Sequence, residues 1–194
     1  MTATTARTDR LYFTGDPDAD RLIATDPFAL LVGFALDQQV TVQKAFFGPL
    51  DLKRRIGNLD PRRIAEMDPG ELDRVFRTRP AMHRYPGAMA KRVQALSKAI
   101  VADYDGDAGR VWNDASDAAE LERRLRRLPS IGEMKARTIT AVLAKRFGLE
   151  LPGLADRLPN HPTLGDVDSP EALASYQAGK RAHKAAMRAA GKGA

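Results

Sequence analysis

Leu128-Pro129-Ser130-Ile131-Gly132-Glu133-Met134-Lys135-Ala136 is the stretch on which the fold turns. On its N-terminal side, residues 118–127 place Leu121, Leu125 and then Leu128 on one helical face. On its C-terminal side, residues 133–147 do the same with Ala136, Ile139, Thr140, Leu143 and Phe147, and Gly148 follows as a helix-ending residue. Pro129 stops the first helix and Gly132 permits a tight turn into the second. A tight turn that opens a helix points several unpaired backbone N–H groups one way. With the helix dipole they form a site for phosphate. Arg123, Arg124, Arg126 and Arg127 precede the turn, and Lys135 and Arg137 follow it. Charge and local geometry therefore agree.

Outward from this hairpin the chain reads as helical almost throughout. Asp16-Pro17, Asp26-Pro27, Asp60-Pro61, Asp68-Pro69 and Ser169-Pro170 each fit an N-cap followed by Pro at the first helical position. Asp68 also has Glu71 three residues on, a capping-box arrangement. Residues 28–36 are apolar all round, as in a helix buried mid-globule. Short helices are expected over 62–67 and 71–77, and a longer one over 88–104, ended by Asp105-Gly106-Asp107. Residues 149–168 read as an acidic, Pro/Gly-containing loop before a last helix. Trp112 reads as a core anchor between helices. No strand-like alternation stands out, so the expected class is all-α, a compact helical bundle. Residues 1–15 are expected to be a flexible N-terminus, 16–175 one helical domain with its hairpin at 121–147, and 176–194 a basic Ala/Gly-rich tail.

The 194 residues carry a net charge of +6 and no Cys. Zero Cys excludes disulfides, thiolate zinc sites and Cys-held iron–sulfur clusters. No apolar run approaches the roughly 20 residues that span a bilayer, and no signal peptide is expected. The expectation is a cytoplasmic, nucleoid-associated monomer. The charge is localised: residues 1–119 hold 17 basic and 17 acidic side chains, 120–146 hold 8 against 3, 147–171 hold 1 against 5, and 172–194 hold 5 against none. One basic block thus coincides with the hairpin and the other with the C-terminal tail. The expected partner is a polyanion.

The hairpin resembles the helix-hairpin-helix motif, L-P-G-[IV]-G-x-x-x-A, with Ser130 in place of the first Gly. Leu36-Asp-Gln-Gln-Val-Thr-Val42 resembles the Gln-containing segment of the helix-hairpin-helix/Gly-Pro-Asp DNA glycosylases, the superfamily of endonuclease III. His83-Arg-Tyr-Pro-Gly-Ala-Met-Ala-Lys-Arg-Val-Gln-Ala-Leu96 resembles that family's G-x-x-x-x-K-A-x-x-L helix. The likeness spans roughly residues 20–157 and is nearest to a short actinobacterial-type subgroup.

This resemblance implies the two-lobed glycosylase fold and base excision from duplex DNA. The enzyme turns a damaged or mismatched base out of the stack and hydrolyses its bond to the sugar. It implies that Gln38 or Gln39, with Gln39 favoured, fills the hole left behind. It also implies that Ser130, Ile131, Gly132, Glu133, Lys135 and Arg137 face the DNA backbone. A carboxylate after the hairpin helix would stabilise the cationic, oxocarbenium-like sugar. Asp156 in Leu151-Pro-Gly-Leu-Ala-Asp156 fits that role best, with Asp166 and Asp168 as alternatives, although Arg157-Leu158-Pro159 replaces the usual Val-Asp-Thr-His context. Phe34, Asp37, His83 and Tyr85 are candidates to line the base pocket.

Bifunctional members carry a Lys two residues beyond the second Gly of the hairpin. Met134 stands there, and Lys135 is about 100° further around the helix. The implied activity is therefore monofunctional, without efficient strand cleavage at abasic sites. No cofactor or metal is expected beyond a monovalent cation at the hairpin carbonyls of Leu128 and Ile131. The alternative function is a noncatalytic DNA-binding module that recognises damaged or distorted DNA.

Overall fold

The computed structural model describes residues 8–189. Ten α-helices follow in chain order: α1 (Pro17–Thr25), α2 (Pro27–Leu36), α3 (Val42–Ile56), α4 (Pro61–Glu66), α5 (Pro69–Arg77), α6 (Pro86–Tyr104), α7 (Arg110–Asn113), α8 (Ala118–Arg127), α9 (Glu133–Phe147) and α10 (Pro170–Ala189). Two 3-10 turns, Ala155–Arg157 and Leu164–Asp166, lie between α9 and α10. Among the described residues there is no strand, and no helix is long and apolar enough to cross a membrane.

The Asp-Pro pairs start helices as the sequence implies. Asp16 accepts from the Asp18 and Ala19 amides, both at 2.9 Å, and Asp26 from Phe28 at 2.9 Å and Ala29 at 3.2 Å. Asp60 and Asp68 cap α4 and α5 through the Arg62 and Glu71 amides. At α10 it is Ser169, not Asp168, whose side chain caps, accepting from Ala172 N–H at 3.1 Å.

α2 lies at the centre. All its residues from Phe28 to Leu36 are buried, and it packs against α1, α3 and α6. Its contact with α3 is close. A Cβ on Gly33 would fall 2.4 Å from the Phe46 ring, and one on Gly48 2.4 Å from Leu36. Phe46 meets both Phe13 and Phe34 edge-on, with centroids 5.0 and 4.9 Å apart. α8 and α9 close the hairpin through Leu121, Leu125, Leu128, Ile131, Ala136 and Ile139, all within the same continuous cluster as α2. Trp112 is buried in that cluster, as expected.

Two expectations need correction, and one helix lies where no element was assigned. Residues 42–56 form a 15-residue helix despite Gly48-Pro49 at its middle, because burial of Val42, Ala45, Phe46, Leu50 and Leu52 outweighs the hydrogen bond Pro49 cannot make. Leu11 and Phe13, placed in the flexible N-terminus, are wholly buried in the core; residues 1–7 lie outside the described residues. The boundary at 176 falls inside α10. Tyr176 packs on the core, and the Gln177 and Gln43 amides exchange hydrogen bonds at 2.7 and 3.3 Å. Residues 190–194 of the expected tail lie outside the described residues.

Arg55, which sequence reasoning passed over, ties the end of α5 to α3. Its guanidinium meets Asp51 at 2.7 Å and donates to the carbonyls of Val75, Thr78 and Pro80 at 2.9, 2.8 and 2.7 Å.

Candidate nucleic-acid interface

The turn between α8 and α9 begins at the Leu128 carbonyl, which accepts from Ile131 N–H at 3.1 Å. Ser130 carries φ +70°, a left-handed conformation natural to Gly and costly for Ser. The Gly132 carbonyl accepts from Ala136 N–H, the first bond of α9, and Gly132 has no side chain with which to cap the helix. Gly132, Glu133 and Met134 are exposed, and Leu128 and Ile131 are buried beneath them. The rim therefore offers backbone to solvent while the turn's two apolar residues anchor it. Glu133 and Arg137 are both exposed and pair with each other at 2.7 Å.

The basic residues before the turn divide. Arg124 is held by Glu120 and Arg126 by Glu122. Among the described residues Arg123 and Arg127 have no acidic partner within 4.0 Å and stand exposed beside the turn.

The second segment is the turn at the end of α2. Its Asp37 ends α2 outside helical geometry. Gln39 has φ +56°, is exposed, and accepts at its side-chain oxygen from the Tyr85 hydroxyl at 3.0 Å. Gln38 is half-buried and accepts from Arg92 of α6. Of the two candidates only Gln39 projects from a strained, exposed position. Tyr85 is 40 % exposed, with the Arg84 guanidinium over its ring.

The two segments meet at Asp37. Burial pushes its carboxyl above the ordinary carboxylate range, and Lys180 of α10 and Lys135 of α9 partly offset this. Lys135 is half-buried; burial lowers its ammonium, Asp37 raises it, and Arg92 lowers it further. Tyr176 completes the cluster from α10, with burial pushing its hydroxyl up and the Lys180 ammonium 5.4 Å from its ring centroid. The charges of Lys135 and Lys180 thus reach Asp37, and that of Arg92 reaches Lys135.

Other candidates fall elsewhere. Phe34 is 1 % exposed and packed on Phe46, so its ring is closed to an extruded base. His83 is likewise internal: its Nε2 lies 3.1 Å from the Leu36 carbonyl oxygen and its Nδ1 accepts from Tyr85 N–H at 3.0 Å. Burial lowers its pKa, and these partners leave no ring nitrogen free to read a base. Asp156 is exposed in the 3-10 turn, next to Arg157, which pairs with Glu122 of α8. Asp166 is occupied as well. Its carboxylate accepts from Thr163 and Lys145, which together outweigh its partial burial and hold its pKa below the usual range. Gly165 beside it leaves no room for a Cβ, which would sit 2.6 Å from the Ala141 carbonyl oxygen of α9. Asp168 is exposed. Among the described residues no group of three or more His, Asp or Glu is arranged to hold a metal ion.

Sequence reasoning missed Arg92, Tyr176 and Lys180 as members of this cluster. Arg92 could have been found, because it stands five residues after Gly87, at the Lys position of the G-x-x-x-x-K pattern. Nothing in the sequence ties Tyr176 or Lys180 to Asp37. Compared with known proteins, the chain matches no family model, no curated protein and no solved structure.

Proposed function

We propose that the protein is a monofunctional DNA N-glycosylase that removes a damaged or mismatched base from duplex DNA. The reading carries with it the two-lobed helix-hairpin-helix glycosylase arrangement. One observation supports it above the others: the exposed, strained Gln39 turn follows directly on the desolvated Asp37 carboxylate, which the charge of Lys135 on the hairpin helix reaches. Gln39 would enter the duplex where the base has left, its amide replacing lost base-pair hydrogen bonds. The N–H groups of Ser130 and Gly132, which flank the Ile131 N–H already given to Leu128, would hold a phosphate on the same strand.

In the reaction, the bond between sugar C1′ and the base nitrogen breaks, and its electron pair leaves with the base. A carboxylate facing the sugar stabilises the cation that forms. Water adds at C1′ and its proton passes to the carboxylate or to the departing base. Asp156, the sequence candidate, lies exposed, whereas Asp37 is the half-buried carboxylate beside the hairpin. A noncatalytic module for distorted DNA is the second reading, favoured by the exposure of Asp156.

The test incubates the protein with duplexes carrying uracil, hypoxanthine, alkylated purines or oxidised bases, followed by hot alkali. Alkali-dependent breaks, lost in one of Asp37→Asn and Asp156→Asn, are expected. Tight duplex binding with no breaks on any lesion selects the noncatalytic reading.

A further inference from the structure

The second basic block of the chain lies on α10, and the fold divides that helix in two. Its first half is anchored by Leu173, which is 5 % exposed, by Tyr176, and by the reciprocal amide bonds of Gln177 and Gln43. From Ala178 to Arg188 the described side chains are all exposed. No acidic residue occurs from 172 onward, so nothing on the exposed half of the helix neutralises Lys180, Arg181 and Arg188. Arg181 and Arg188 are seven residues apart, which puts them on one face about 10 Å apart along the axis. That is the length of about three base-pair steps.

The position of this helix matters as much as its charge. Gln177 is bonded to Gln43, four residues after Gln39, and the Lys180 charge reaches Asp37 as that of Lys135 does, so the exposed basic stretch starts beside the Gln39 turn.

We propose that α10 from Lys180 to Arg188 is a sequence-independent arm that grips the phosphate backbone of duplex DNA beside the hairpin. The proposal rests on the reading of the Asp37 region as a DNA-binding site. Charge complementarity selects the partner. The exposed half of α10 is built from Ala, Gly, Lys, Arg and His, with Met187 as its one large apolar side chain. It therefore lacks the broad apolar face that a membrane-surface helix buries, and polyanion contact is the use left to it.

The experiment measures binding of the full chain to an undamaged duplex of about 20 base pairs across a salt series. Wild type is compared with Arg181→Gln/Arg188→Gln and with a charge-matched reference, Lys53→Gln/Lys98→Gln. Each lost phosphate contact lowers the slope of log K against log salt by about 0.9. The arm variant is expected to lose close to two units of slope and about tenfold in affinity at low salt, while the reference keeps both. All four positions are exposed, so thermal melting is expected to be common to the three proteins. An unchanged slope in the arm variant, or an equal loss in the reference, overturns the proposal. Base release by wild type with an unchanged arm slope sinks the arm alone. An arm-dependent slope without base release on any lesion sinks the glycosylase reading alone. No duplex binding by wild type at low salt sinks both.

Discussion

The Nε2 of His83 faces the carbonyl oxygen of Leu36 at 3.1 Å and joins the last residue of α2 to the segment that begins α6. With Nδ1 accepting from Tyr85 N–H, the ring is held neutral with its proton on Nε2. It thereby fixes the spacing between the Gln38–Gln39 turn and Tyr85.

His83→Ala leaves the Leu36 carbonyl and the Tyr85 amide unpaired, and a loss of about 2 kcal/mol is expected in denaturant unfolding. The pH dependence has a definite sign. Burial lowers the folded-state pKa below 6.5, so the unfolded chain binds the extra proton in the window between the two values. His83's contribution to stability is full above pH 6.5 and declines as pH falls toward the folded pKa, at up to about 1.4 kcal/mol per pH unit. His83→Gln is expected to lack this part of the acid-side decline; an identical decline in both proteins would refute the assignment.

Ser130 and Gln39 hold left-handed conformations that cost a non-glycine residue about 1 kcal/mol. Gly at either position relieves that cost, so both variants are expected to gain stability of that order. They are expected to part in function. Ser130→Gly keeps the hairpin amides and should bind duplex as wild type does. Gln39→Gly removes the side chain that the strained turn presents, and should lose at least tenfold in affinity for duplex with a base missing.

Asp37→Asn is predicted to raise the melting temperature at pH 7. A carboxyl whose folded pKa lies above its usual 3.8 binds protons more readily when folded, so its ionised form opposes folding above that window. The amide removes this opposition. The two proteins should converge in melting temperature near pH 3, where both side chains are neutral. Equal melting temperatures at pH 7 would show that Asp37 is not desolvated.

Arg55→Lys should cost about 2 kcal/mol, seen as a drop in denaturant midpoint without a change in slope. A single ammonium cannot serve Asp51 and the three carbonyls that the guanidinium reaches from one plane. Arg55→Met, which also leaves Asp51 without its partner, should be worse.

The caps and the hairpin were legible because their causes are local. Asp before Pro, and Pro129 ahead of Gly132, act on their own neighbours within a turn of helix. The α3 helix was not assigned from the sequence; with Gly48-Pro49 at its middle it rests on the tertiary packing of Phe46 between Phe13 and Phe34. At the site, the sequence pointed to Gln39, the hairpin and Lys135, each tied to a motif. It could not separate Phe34 and His83, which face inward, from Asp37, because burial depends on how α2 meets α6. Nor could it bring Tyr176 and Lys180 to Asp37 from some 140 residues away, since that approach depends on the docking of α10 beside the Gln43 amide.

The complete burial of α2 has a temporal consequence. Its backbone amides are hydrogen-bonded and shielded on every side by α1, α3 and α6, so exchange with solvent deuterium requires the whole core to open. α2 should therefore be among the last helices to exchange, while α10 beyond Gln177 should exchange early. The candidate site would then hang between a slow clock and a fast one: Asp37 at the end of α2, Lys180 on α10.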